Sequence, residues 1–132
     1  MGTASEHFNF SEFSCKGERC CGHSHPVCYG LIEALEELRE SVGEYMGDGR
    51  KGIVINSGFR CRVYNRKVGG SLDSEHCKGT AADIRVEGLP AGVLAEIAEN
   101  VLAFRKGGIG VYDTFVHVDV RRDGPARWKG VG

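Results

Sequence analysis

Tyr112-Asp113-Thr114-Phe115-Val116-His117-Val118-Asp119-Val120 alternates with a period of two. Successive side chains of a strand point to opposite faces. Thr114, Val116, Val118 and Val120 therefore share one face, and Asp113, Phe115, His117 and Asp119 share the other. The apolar face is predicted to turn inward, which leaves a histidine between carboxylates to line a cleft. Upstream, Ile109 to Tyr112 reads as a second strand or as the first half of one bent strand. Ile53-Val54-Ile55, a β-branched run ending at Asn56-Ser57-Gly58, and residues 82–86 supply two more. Residues 26 to about 45 read as the main helix, because Val27, Leu31, Leu35, Leu38 and Val42 recur at spacings of four and three. Pro26 suits its first turn, and Gly47-Asp48-Gly49 follow its end. Residues 90–105 give a second amphipathic helix, with Val93, Ile97, Val101 and Phe104 on one stripe, closed by Gly107-Gly108. Asp123-Gly124 reads as a turn. Strands and helices intermixed with 20 glycines predict a small, loop-rich α+β fold over residues 1–132. Disorder is expected only in the first few residues and the Gly-Val-Gly end.

The whole chain, 132 residues and 14.3 kDa, is enough for one domain burying about two-thirds of its unfolded surface. Any active site must sit inside that domain. Lys and Arg number 17 against 18 Asp and Glu, a formal net charge of −1. There is no basic excess to drive binding to a phosphate backbone, so no nucleic-acid partner is expected. No run approaches the roughly 18 apolar residues of a membrane span, and the start lacks a basic segment followed by an apolar one. A soluble chain without an export signal and without a membrane partner is expected.

Six cysteines exceed what packing needs. Cys15, Cys20, Cys21 and Cys28 crowd the amino-terminal end with His23 and His25 among them, while Cys61 and Cys77 lie far downstream. Three readings stand side by side. A disulfide framework would suit an oxidising compartment, with fifteen pairings open to six cysteines. A structural zinc site fits the residue types, although Cys-x4-Cys-Cys-x-His-x-His-x2-Cys lacks paired Cys-x2-Cys knuckles. Buried free thiols are the third.

The densest polar constellation is Ser74-Glu75-His76-Cys77-Lys78-Gly79-Thr80-Ala81-Ala82-Asp83, a loop running into a strand. His76 and Asp83 converge if the chain turns at Gly79, and imidazole with carboxylate is metal-ligand chemistry. Ala81 shares the strand face of Asp83, and its methyl leaves space there. An ordinary exposed His and Asp on a surface loop is the competing reading, since motif matches have false positives. His117 shifts the balance: it and His76 are the histidines beyond position 25, and both sit in carboxylate-rich segments. A third piece, Asn56-Ser57-Gly58-Phe59-Arg60-Cys61, brings an arginine to a strand end. There its guanidinium can aim at a carboxylate or a developing oxyanion, or merely pair with a surface acid.

Together these pieces resemble the zinc-dependent D-Ala-D-Ala carboxypeptidase family, with its D,D-dipeptidases, its L-alanyl-D-glutamate phage endolysins and a structural relative in the Hedgehog amino-terminal domain. Ser74, His76, Gly79, Ala81 and Asp83 match the family's S-x-H-x-x-G-x-A-x-D. Ser57-Gly58-Phe59-Arg60 matches S-G-[YF]-R, and Phe115-Val116-His117-Val118-Asp119 is similar to F-[VI]-H-x-D. The likeness runs from about Phe10 to Trp128 and is greatest to the short branch of phages and prophages, whose members carry cysteines near the amino end and after S-G-[YF]-R.

The resemblance implies a central antiparallel sheet with helices packed to one side. It implies Zn2+ held by His76, Asp83 and His117 with water in the fourth position, the logic of an open catalytic site. Many relatives place an acid three residues before the last histidine, where this chain has Thr114. Asp113 is then the expected general base. Asp119 competes as base, as orienter of His117 or as a ligand, and Arg60 is expected to hold a substrate carboxylate or stabilise the tetrahedral intermediate. The implied function is a monomeric zinc peptidase, carboxypeptidase or endopeptidase, acting on peptidoglycan stem peptides at the cell wall or periplasm, with phage delivery as one route. A catalytically inactive metal-stabilised module and a spacer in a phage particle are the alternatives. A bridge from the amino-terminal cysteines to Cys61 is expected to staple the entry segment beside the site.

Overall fold

A computed structural model describes residues 2–131, so the expectations for Met1 and Gly132 lie outside the described residues. The main helix, α1, spans Tyr29–Met46. It starts later than its apolar spacing suggests because Cys28 is extended and its N–H donates to the Gly79 carbonyl, tying the preceding chain to another segment. It stops at Gly47, whose φ of 68° is the left-handed conformation that glycine adopts without steric cost. Leu31, Ala34, Leu35, Leu38 and Val42 form its buried stripe.

Five strands follow: β1 (Val54–Ser57), β2 (Ala81–Arg85), β3 (Gly108–Val111), β4 (Val116–Asp119) and β5 (Ala126–Lys129). They lie side by side in the order β1-β2-β4-β3-β5. The expected α+β fold is present, and the first three pairings are antiparallel as the family resemblance implies. The last is not: β5 runs parallel to β3, so the sheet is mixed. Four residues of alternating half-burial gave β5 too weak a pattern to be read from sequence. The bent-strand alternative for residues 109–120 resolves into β3 and β4, joined by a turn in which Tyr112 N–H donates to Phe115 O.

Residues 90–105 are not one helix. They form α3 (Ala91–Ala98) and α4 (Leu102–Arg105), with Val101 extended between them. Both Val101 and Phe104 are still buried, so the apolar period runs across a break that periodicity alone does not reveal. A further short helix, α2 (Arg62–Lys67), follows β1.

Leu94, Ile97, Ala98 and Phe104 of the α3–α4 segment meet the α1 stripe and the sheet residues Ala82, Ile84, Ile109, Val116 and Val118 in one core. These sheet residues occupy alternate positions, so the helical layer covers one face. The other face is left to Ala81, Asp83, His117 and Asp119.

The amino-terminal residues are not loose. Phe8 is buried in the core, and Glu36 on α1 accepts from Ser5 Oγ (2.5 Å), His7 N–H (2.8 Å) and His7 Nδ1 (2.6 Å). Partial burial pushes the Glu36 pKa up, but the hydrogen bonds from Ser5 and His7 outweigh it and hold the carboxyl below its ordinary value. A depressed folded pKa adds stability that is full above the unfolded value of about 4.3 and is lost as pH falls through the folded one. Glu36→Gln is therefore expected to cost about 1–2 kcal/mol at pH 7. Urea denaturation should show the gap between variant and parent narrowing as pH falls below about 4.3.

Candidate active site

Strand register assembles the polar face. Asp83 of β2 pairs with His117 of β4, and Ala81 pairs with Asp119. On the far side of β4, Gly110 pairs with His117 and Gly108 with Asp119. Opposite Gly110 on β5 stands Trp128. A side chain at Gly110 would strike the indole, and one at Gly108 would strike the Asp119 carboxylate. The bare backbone of β3 is therefore what lets those groups lie over the sheet.

His76 arrives from a separate segment. Residues 75–78 form a short 3-10 turn capped at its start, Ser74 Oγ accepting from His76 N–H at 3.1 Å. Gly79 ends the turn at a φ of 74°, and a Cβ there would meet the Pro26 carbonyl, so the residue is glycine for two reasons. This turn places His76 Nε2 3.1 Å from Asp83 Oδ1, with His117 Nδ1 3.2 Å from the same oxygen. The two rings meet edge to face at 5.1 Å.

Each of the three side chains is fixed from behind. His76 Nδ1 lies 2.7 Å from the Gly58 carbonyl oxygen, which accepts its proton and leaves Nε2 facing Asp83. His117 Nε2 is 2.7 Å from Asp119 Oδ2. Arg60 donates to Asp83 Oδ2 at 3.0 Å while its other nitrogens donate to Ser57 Oγ and Asn65 Oδ1. Asp119 is fully buried and accepts from Arg121 Nε (2.9 Å) and NH2 (2.7 Å) and from the backbone N–H groups of Gly108 and Arg121. Burial alone would push both carboxyl groups up. The bonds from His117 and His76 win at Asp83, those from His117 and Arg121 win at Asp119, and both stay well below the usual carboxylate range. For His117 burial favours the neutral ring, but Asp119 and Asp83 outweigh it and raise its pKa.

The donor atoms of His76, Asp83 and His117 all lie within 4.8 Å of one another, a set that could hold one metal ion. They sit at the floor of an open basin of about 580 Å³. Its aromatic wall is Tyr112 stacked on Phe115 at 4.4 Å, and Trp128, whose indole N–H donates to Tyr112 Oη.

Two other expected residues stand differently. Asp113 is not on the strand, because β4 begins only at Val116. It is exposed on the turn between β3 and β4, outside the basin lining, so the parity that put it beside His117 fails. Arg60 does line the basin, yet its guanidinium is bound to Asp83, Ser57 and Asn65 rather than left to a substrate. Sequence reasoning passed over buried Asn65, which also donates to Ser71 O, and over Arg121 and Trp128. Arg121 stands two residues past Asp119, a spacing that could have marked it as the carboxylate's partner. Trp128 carried no signal beyond being the single tryptophan.

A family model described as Peptidase M15 matches residues 6–119. Peptidoglycan L,D-endopeptidase MepK of Escherichia coli (strain K12) is 34% identical over 105 residues, covering 74% of this chain and 52% of that protein. The probable peptidoglycan L,D-endopeptidase MepK of Haemophilus influenzae is 42% identical over 87 residues, 60% of this chain and 44% of that one. The chain thus spans about half the length of the curated relatives it matches.

Removing the guanidinium tests the support geometry without any metal. Arg60→Ala leaves Asp83 and Asn65 each one donor short, and hydrogen bonds to charged groups contribute about 1.5–3 kcal/mol. Chemical denaturation of metal-free protein should show a loss of that size, and a loss below about 0.5 kcal/mol would mean the guanidinium does not hold Asp83 in solution.

Proposed function

The chain belongs to the peptidase M15 family, and from that premise we propose that it is a zinc-dependent endopeptidase that hydrolyses peptide bonds in peptidoglycan stem peptides. The observation carrying this reading is the trio of His76 Nε2, Asp83 Oδ1 and His117 Nδ1, converging while their outer atoms are each held by another group. Two imidazoles and a carboxylate, with open space over them, suit zinc in a catalytic rather than a closed structural site. Zinc bound there would supply Lewis acidity toward a carbonyl oxygen and activate water near neutral pH.

The residues of this chain divide the remaining work. Gly58 O fixes the tautomer of His76, and Asp119 fixes that of His117, which keeps one nitrogen of each ring aimed inward. With two side chains and two backbone amides bound to it, Asp119 is assigned to positioning. Proton transfer is assigned to Asp113, an exposed carboxylate on the turn whose ends, Tyr112 and Phe115, wall the basin. That turn would have to bring the carboxylate inward when substrate is present. Arg60 holds Asp83 rather than a substrate carboxylate.

Endopeptidase action is favoured over carboxypeptidase action by the same pairings. A carboxypeptidase needs a cation for the terminal carboxylate, whereas Arg60 and Arg121, the guanidinium groups lining the basin, already bind Asp83 and Asp119. The name of the curated relatives, L,D-endopeptidase, points the same way. A monomer acting at the cell wall completes this reading, in keeping with the peptidoglycan substrate named for the curated relatives.

Digestion of purified peptidoglycan followed by mass spectrometry is expected to show internal cleavage between an L- and a D-configured centre. Release of terminal D-alanine alone would make the enzyme a carboxypeptidase. No product from zinc-loaded protein would make it an inactive module.

The two acids separate by paired substitution. Asp113→Asn is expected to keep zinc while turnover falls by roughly 10²–10⁴. Asp119→Asn is expected to weaken zinc binding by about 10–100-fold, with activity recovering in excess zinc. Full activity in zinc-bound Asp113→Asn beside a dead, zinc-bound Asp119→Asn would exchange the roles.

A further inference from the structure

Away from the basin, four thiols converge. Cys15, Cys20, Cys21 and Cys61 have sulfurs all within 4.8 Å of one another, with Cys15 Sγ 3.9 Å from Cys61 Sγ and Cys20 Sγ 4.0 Å from Cys21 Sγ. We propose that these four cysteines form a second metal site, a structural tetrathiolate that binds a single zinc ion and locks the amino-terminal loop onto the loop carrying Arg60.

The spacing fits a metal-centred arrangement. Thiolates about 2.3 Å from a tetrahedral zinc lie about 3.8 Å from each other. A disulfide would instead need sulfurs about 2.05 Å apart. Pairing Cys15 with Cys61 would also leave Cys20 and Cys21 only each other, as neighbours in sequence, while zinc engages all four at once.

The convergence is tertiary, since Cys61 is 46 residues from Cys15. It is brought about by backbone packing: Phe59 N–H donates to Phe13 O at 2.8 Å, and Gly58 lies so close to the Phe13 backbone that a Cβ would collide with it. The loop from Cys15 to Ser24, which carries Cys20 and Cys21, closes on itself through Cys15 N–H to Ser24 O at 2.8 Å, with His23 Nδ1 2.8 Å from Cys15 O. Cys61 Sγ also accepts a backbone N–H from Tyr64 at 3.5 Å, a contact that fixes the direction of this sulfur. Cys28 and Cys77 lie outside the cluster. Soft thiolate donors in a tetrahedral set select zinc over hard cations, and binding releases the thiol protons to solvent.

The consequence for the basin is mechanical. Gly58, which fixes His76, and Arg60, which holds Asp83, both lie within three residues of Cys61. A zinc ion on Cys61 would clamp this loop from its far side.

The test uses the full chain, reduced under anaerobic conditions, loaded with Zn2+ and desalted. With zinc bound, iodoacetamide is expected to modify Cys28 and Cys77 and to spare the other four, while a chelator should expose all six. The double variant His76→Ala/His117→Ala, which removes two of the three basin ligands and leaves only Asp83, should retain one zinc per chain. Co2+ in that variant should give thiolate-to-metal charge-transfer absorption, lost when Cys20→Ser/Cys21→Ser is added. Equal alkylation of all six thiols with and without Zn2+ would overturn the proposal, even if a variant fails to fold. A Cys15–Cys61 disulfide in the protein as isolated would overturn it as well. Neither result touches the basin, whose zinc is counted separately in Cys20→Ser/Cys21→Ser.

Discussion

Asp83 lies beneath two imidazoles and beside a guanidinium with almost no solvent to share its charge, and much of the local structure serves to make that tolerable. Its side chain is 9% exposed, and an unpaired carboxylate so buried would protonate or unfold its surroundings. Instead one oxygen faces both His76 and His117, and the other takes Arg60. The β2–β4 register supplies His117, the turn at Gly79 supplies His76, and the bulged end of β1 leads into the loop that supplies Arg60. Shift β2 by one residue and Asp83 would point into the apolar layer formed by Ala82, Ile84, Val116 and Val118. The same alternation that builds the core therefore protects the site from register error.

The second requirement is room. A five-stranded sheet with side chains on both faces would leave no basin over its centre. This chain clears the space by placing Gly108 and Gly110 on β3, so that Asp119 and Trp128 can settle across the backbone. Trp128 then stands 4.9 Å from the His117 ring, with the Arg121 guanidinium 5.5 Å over the indole. One arginine thus joins the carboxylate that orients His117 to the aromatic wall. The parallel addition of β5, a departure from the antiparallel sheet implied by the family resemblance, is what brings Trp128 into that position.

Support for the basin also comes from outside the sheet. The amino-terminal segment packs Phe8 and Phe13 into the core and presents its backbone to Gly58 and Phe59. Cysteine placement follows that packing: Cys15 and Cys61, 46 residues apart, meet where the entry segment touches the loop carrying Arg60. In this arrangement the loop behind Asp83 and His76 is held on both sides, by the sheet and by the chain's own beginning.

Alternation in Val116-His117-Val118-Asp119, the stripe of α1 and the spacing from Ser74 to Asp83 were enough to read an α+β fold and to mark His76, Asp83 and His117 as candidates, which the family resemblance then joined into one ligand set. Each of those patterns depends on a period of two along a strand, a period of about 3.6 along a helix, or a turn with its own glycine. What those patterns could not carry was anything set between segments. Asp113 shared a face with His117 only if the strand extended back that far. A turn closed by Tyr112 and Phe115 ended it at Val116, since pairing with β3 had already been satisfied up to Val111. The break at Val101 was invisible for the converse reason: the core rewards apolar residues at those positions whether or not the backbone between them is helical. The partners of Arg60, the clamp of Arg121 on Asp119, the arrival of Trp128 and the meeting of four thiols are likewise products of chain segments packing together. Local sequence fixes which face a side chain can use, through backbone geometry, but only the tertiary structure decides what stands opposite, because that depends on distant segments competing to bury the same surface.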